Sequence, residues 1–234
     1  MTMDPLVFLV ALAQRWHEQG LAGPSEHALM IPAGVEVGSN PHLLFLTLPR
    51  AISALQDEVE LWERAALAWA SAEAQWLFDP AQVAYAEWPT VETALRQWRL
   101  ASRRQESRGW YEVARGLQGR FKGDIRAMVE AGGGRTSGLL AYLAKSPSTF
   151  PFLSGEETSR LWLEQLRRIG GLSIEEDEPL CLVPSQRARE AAASQRLDPG
   201  PEALPAHHVL ALEVWAALST RDQTQIAAAI QKAL

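Results

Sequence analysis

Apolar residues recur along most of this chain every three or four positions, a spacing that predicts helix after helix. The run 5–13 forms the buried face of a first helix over 4–20. Residues 20–41 read as loop, with Gly-Pro, Ile-Pro and Ser39-Asn40-Pro41, and leave room for a short strand or hairpin. Residues 41–55 are apolar again, and Pro49 is expected to kink or split a helix there. Trp62, Trp69 and Trp76 then stand seven apart, with Leu55 extending the series backward, so one long helix over 59–78 is predicted to carry them on a single stripe. Asp79-Pro80 stops it. Thr90 caps a helix to 100, and another follows over 106–118. Asp124 caps a short helix to 131, Gly132-Gly133-Gly134 breaks the chain, and Thr136 caps a helix to 145. Ser146-Pro147-Ser148 is a linker, and Ser154 opens a helix ending at Gly170-Gly171. The acidic connection 173–184 has room for a short extended piece. Helices over 185–195 and 205–218 precede a last one, with Thr220-Arg221-Asp222-Gln223 as its capping box and Ile226, Ile230 and Leu234 on one face. With β-branched runs rare and no internal repeat, the fold class is all-α.

Composition narrows the picture. The 234 residues are 47% hydrophobic and 21% charged, with net charge −6, which suits an ordered chain with a substantial core. The single cysteine, Cys181, excludes a disulfide within the chain and any zinc or iron–sulfur site built on several cysteines. It suits a reducing, cytoplasmic location. The run 5–13 is too short to span a bilayer and lacks the basic flank and cleavage site of a signal peptide. The tryptophan stripe is read as a core seam, with a base-stacking platform as the alternative.

Charge is distributed unevenly. Residues 96–126 hold Arg96, Arg99, Arg103, Arg104, Arg108, Arg115, Arg120, Lys122 and Arg126 against Glu106, Glu112 and Asp124, a net of +6 that leaves −12 elsewhere. Trp98, Trp110, Tyr111 and Phe121 are interleaved with the arginines. Arginine-rich surface beside aromatic faces suits a phosphate backbone with stacked bases. The alternative is a solvated helix pair balanced by acids elsewhere in the fold. Other chemistry is poorly supplied. His207 and His208 are adjacent and diverge on a helix, so no metal site or cofactor is expected. Cys181 sits among apolar residues and reads as a buried thiol. The triple glycine before Arg135-Thr136 lacks the lysine and spacing of a phosphate-binding loop and reads as a turn. Glu175-Glu176-Asp177-Glu178 reads as a solvated acidic loop.

Three stretches together resemble the helix-hairpin-helix DNA glycosylase superfamily, the endonuclease III-like group. They are "NPHLLFLTLPRAISAL", "RGWYEVARGLQGRFKGDIRAMVE" and "FPFLSGEETSRLWLEQLRRIGGL", with "LCLVPSQRAREAA" following. The resemblance covers roughly 41–195. It implies two helical lobes with a cleft: a central lobe over 57–170 with the hairpin at 150–158, and a second lobe from 1–56 and 171–234. It also implies DNA as partner and base excision as the family activity, in which an aspartate stabilises charge on the sugar and, in some members, a lysine attacks it. Neither group is in place. Glu157 falls at the lysine position and Pro184 at the aspartate, while Gln186 and Arg189 take the positions of the family's histidine and arginine.

The hairpin itself carries Ser154-x-x-Glu157, a capping-box pattern that would occupy the amides a phosphate needs. Gly155 lies within it as a possible backbone contact. The leading expectation is therefore a divergent, catalytically inactive glycosylase-like protein. It would bind nucleic acid through Arg96, Arg99, Arg103, Arg104, Arg108, Trp98, Trp110 and Gly155. Two alternatives stay open: an active glycosylase using a carboxylate such as Asp177 or Glu156, and an interaction protein with no nucleic-acid role.

Overall fold

The computed structural model describes residues 5–19, 30–53, 55, 58–184, 186–194 and 203–233. They are mostly helical, and their only sheet pairs two short strands. The all-α expectation holds. Contacts divide the chain into Leu29–Glu178 and a unit made from both ends, Met1–Ala28 with Pro179–Leu234. These boundaries differ from those expected at 56/57 and 170/171, because the apolar segment after residue 39 packs inside the larger unit.

In that unit, α2 (Asn40–Ser53) is the central rod, with every residue from His42 to Ser53 buried. Around it stand α3 (Glu58–Trp69), a 3-10 turn (Gln75–Phe78), α6 (Arg104–Phe121), α7 (Ile125–Ala131) and α9 (Glu156–Arg168). α4 (Pro80–Tyr85) and α5 (Trp88–Gln97) pack on α6, and α8 (Thr136–Ala144) packs on α9. Pro49 does not split α2. Burial on all sides holds the rod continuous where an exposed helix would break. Two polar pairs lie inside the core. Trp162 Nε1 donates to Thr47 Oγ1 at 2.9 Å, and Arg50 Nε donates to Gln165 Oε1 at 2.9 Å.

The predicted long tryptophan helix is two elements. α3 ends at Trp69, turns follow, and Trp76 falls on the separate 3-10 turn. Trp62 and Trp69 nevertheless form a core seam, both against Phe45, with ring centroids at 5.8 and 5.6 Å. Phe78 and Trp110 continue the cluster.

Several helix starts also differ from expectation. Asp124 caps α7 through the amide of Arg126 at 2.8 Å, as predicted. α5 begins at Trp88 after Glu87, ahead of Thr90. α6 starts at Arg104, where buried Glu106 accepts from the amides of Ser102 (2.6 Å) and Arg103 (3.0 Å). This is the glutamate half of a capping box; Arg103, a donor only, cannot supply the Ser or Thr half.

In the terminal unit, α1 (Pro5–Gln19) packs on α11 (Ala206–Ala217) and α12 (Thr220–Ala233), with Phe8 edge-on to Trp215 at 5.5 Å. α10 (Gln186–Ser194) also packs on α11. The extended piece foreseen near 173–184 is β1 (Cys181–Leu182), antiparallel to β2 (Leu204–Pro205). The last helix is capped one residue earlier than predicted. Ser219 Oγ accepts from the amide of Asp222 at 3.2 Å. Gln223 turns back and donates to carbonyls of Trp215, Ala216 and Leu218, closing the C-terminus of α11.

Candidate nucleic-acid interface

The basic segment spans the end of α5, all of α6 and the start of α7. Its charges are mostly engaged close to home. Arg96 pairs with Glu92 at 3.2 Å, one turn back on α5. Arg103 lies 4.0 Å from Glu106. Arg108 and Arg115 both reach Glu112, the latter at 3.9 Å. Arg120 donates to Tyr142, Ser146 and Thr149, and Arg126 to the carbonyl of Gly38. The side chains of Arg99, Arg104 and Lys122 have no hydrogen-bond or ion-pair partner among the described residues. The ion pairs join neighbours on one helix and leave most of the guanidinium surface in water. Such pairs contribute about 0–1 kcal/mol and exchange readily for a phosphate.

Arg104 and Arg108 come together with Trp88, Gln105, Gly109, Pro151 and Phe152 around an open groove of about 650 Å³. The Arg108 guanidinium lies over the Trp88 ring at 5.2 Å and over Tyr111 at 5.7 Å. Trp88 and Tyr111 are themselves 5.2 Å apart. Gly109 is the floor. A Cβ there would fall 2.7 Å from the Phe152 ring, so only glycine lets that ring lie on the helix. Phe152 is held with φ of 63°, a left-handed conformation costly for a non-glycine residue. Its carbonyl accepts the amide of Gly155 at 2.9 Å, which fixes the turn.

A second, smaller groove of about 270 Å³ continues along α6 between Glu112, Arg115, Gly116, Gly119 and Arg120 on one side and Ser148 and Thr149 on the other.

The remaining sequence candidates separate. Trp110 is fully buried and donates Nε1 to the Leu77 carbonyl at 2.9 Å, so it is core and not a surface contact. Trp98 ends α5, half-buried, with Arg99 beside it at φ 54°; neither lines the groove. Arg96 and Arg103 also lie outside it. The amide of Gly155 is spent on Phe152, which removes it as a phosphate donor. The sequence signal that missed Trp88 is plain: it stands twenty residues from Arg108 and only packing joins them.

The capping box expected from Ser154 and Glu157 does not form. α9 starts after Gly155 with no side-chain cap. Glu156 pairs with Arg160 at 3.3 Å and Glu157 is exposed. Two carboxylates in this first turn suit the helix dipole and repel an anion. Pro184 is buried. Asp177 caps α8 from forty residues away. It accepts from the Ser137 amide at 3.0 Å, the Thr136 hydroxyl at 2.8 Å and the Ser137 hydroxyl. These bonds, led by the Ser137 hydroxyl, hold its carboxyl far below the usual carboxylate range. The acidic loop is further tied down by Arg135–Glu175 at 3.1 Å and Arg167–Glu176 at 2.7 Å. Among the described residues no cluster of three metal-ligating side chains occurs, and no helix is long and apolar enough to cross a membrane. Comparison with family models, curated proteins and solved structures finds no match to this chain.

Proposed function

We propose that this chain is a glycosylase-like protein of the helix-hairpin-helix type that binds nucleic acid without excising bases, through the outer face of α6. One observation carries the reading: Arg104, with no partner among the described residues, shares a groove with Arg108, Trp88 and Phe152. Cationic forks beside flat rings are what a phosphate backbone with exposed bases requires. The absence of excision rests on the residues at the family positions. Buried Pro184 has no acid–base chemistry, and Glu157 cannot form a Schiff base. Asp177 is committed to capping α8, which weighs against its use as a substitute acid. Any part in DNA repair is then recognition. A cytoplasmic setting goes with this reading, as Cys181 has no partner cysteine in the sequence.

The test is fluorescence anisotropy with labelled DNA and RNA at rising salt. Affinity is expected at about 50 mM salt and is expected to fall steeply by about 200 mM, with the slope in log–log form reduced by roughly 0.7–0.9 in Arg104→Ala. Failure to bind any nucleic acid at the lower salt sinks the proposal. Excision of a modified base, abolished by a point substitution, sinks its second half.

A further inference from the structure

We infer that the strand held on this face is single, with one unpaired base entering the groove beside Trp88. This rests on the nucleic-acid reading above and names the form of ligand it takes. Arg104, Arg108, Glu112, Arg115 and Gly119 follow one another at spacings of four, four, three and four, which is one face of α6. Both grooves lie on that face, and the same segment, 148–152, borders both. The face spans about 22 Å at the rise of an α-helix. That length accommodates roughly four nucleotides, the low end of single-strand site sizes.

Charge and shape agree on the occupant. Four arginines along the path, the fourth being Arg120, face one carboxylate, that of Glu112, so the path is net positive and suits a polyanion. At its Arg104 end the groove is walled by Trp88 with its stacked Arg108 guanidinium and by Phe152, above a glycine floor. A flat ring can lie there with its faces against these groups. In a duplex both faces of a base are covered by its neighbours, and extruding one costs a few kcal/mol, so a single strand offers its bases to this groove without that cost. Trp88 and Phe152 come from different elements, and Phe152 is held in place at a left-handed φ, so the walls stand before any ligand arrives.

The experiment compares oligothymidylates of about two, four and eight nucleotides with blunt dA·dT duplexes, at matched salt, by anisotropy and tryptophan quenching. Single strands are expected to bind at least about tenfold more tightly than the duplex, as stacking one base on an aromatic ring gives roughly five- to 150-fold. Affinity should rise steeply up to about four nucleotides and slowly beyond. Trp88→Leu should remove the preference for single strands, while Arg104→Ala should weaken both forms. Equal or tighter binding of the duplex overturns this inference and leaves nucleic-acid binding standing. Binding of neither form overturns both. The length series uses the unaltered protein, so the inference stays testable even if Trp88→Leu does not fold.

Discussion

At the scale of single residues, two glycines of α6 separate what a helix wants from what its neighbours allow. Gly119 has nothing within 4 Å of an added Cβ, whereas at Gly116 that atom would fall 2.5 Å from Thr149 Cγ2 and 2.9 Å from the Thr149 carbonyl oxygen. Alanine improves helix propensity by up to about 1 kcal/mol. Overpacking against backbone costs about 1–3 kcal/mol. Urea denaturation should therefore find Gly119→Ala more stable than wild type and Gly116→Ala less stable, by about 1–2 kcal/mol. Stabilisation by both would mean that 148–152 is not seated on the helix. Asp177 gives a second residue-scale outcome. Its folded pKa is depressed, so its contribution is complete above the unfolded value of about 3.9 and is lost as pH falls below it. Asp177→Ala should lower Tm near neutral pH, and the gap to wild type should narrow progressively as pH falls below about 4 towards the depressed folded value. A gap that does not narrow in acid would contradict the cap. Asp124, two residues from the amide it caps, could be read from sequence. Asp177 could not, because no local pattern links it to Ser137, and it read as part of a solvated run.

At the scale of elements, periodicity fixed where helices lie but not where they stop. The seven-residue spacing of Trp62, Trp69 and Trp76 fits a continuous helix, yet the chain turns after Trp69. Phe45 and Phe78 draw the rings into one cluster, and tertiary packing outranks the local pattern. At Pro49 the expected split does not occur, since α2 runs through it. The start of α2 also carries a titratable lock. His42 Nδ1 accepts the Gly38 amide at 3.0 Å, so its Nε2–H donates to the Met30 carbonyl at 3.0 Å. Burial pushes the imidazole below its ordinary value, partly opposed by the Met30 bond. A His with a lowered folded pKa adds stability above its unfolded value, about 6.5, and loses it as pH falls below that. Stability should decline as pH falls below about 6.5, and His42→Gln should lack that step in a pH series of urea midpoints. An unchanged step in the variant would assign it elsewhere. The groove belongs to this scale too. The sequence marked α6 as basic and aromatic, and Arg104 and Arg108 line the groove. Trp88 and Phe152 come from other elements and only the fold brings them there. Trp110 shares the arginine-rich stretch but sits at 0% exposure, because its helical phase points it at Phe78.

At the scale of the whole molecule, the chain order matters more than the count of helices. The larger unit, Leu29–Glu178, is one continuous stretch, while the other needs both ends of the chain. Phe8 from one end meets Trp215 from the other, so the core of this unit draws on both ends. The larger unit contains every residue of both grooves, the His42 lock and the Asp177 cap. Pro184, at the position where the resembled family keeps its aspartate, lies outside it. A fragment of residues 29–178 should therefore fold cooperatively, by circular dichroism and a single urea transition. On the proposed reading it should bind nucleic acid with the same salt dependence as the full chain, since all residues lining both grooves belong to this unit. A glycosylase with a rearranged site assembled from both units would lose its affinity for substrate on the same truncation. A folded fragment that no longer binds would therefore move the contact surface off α6.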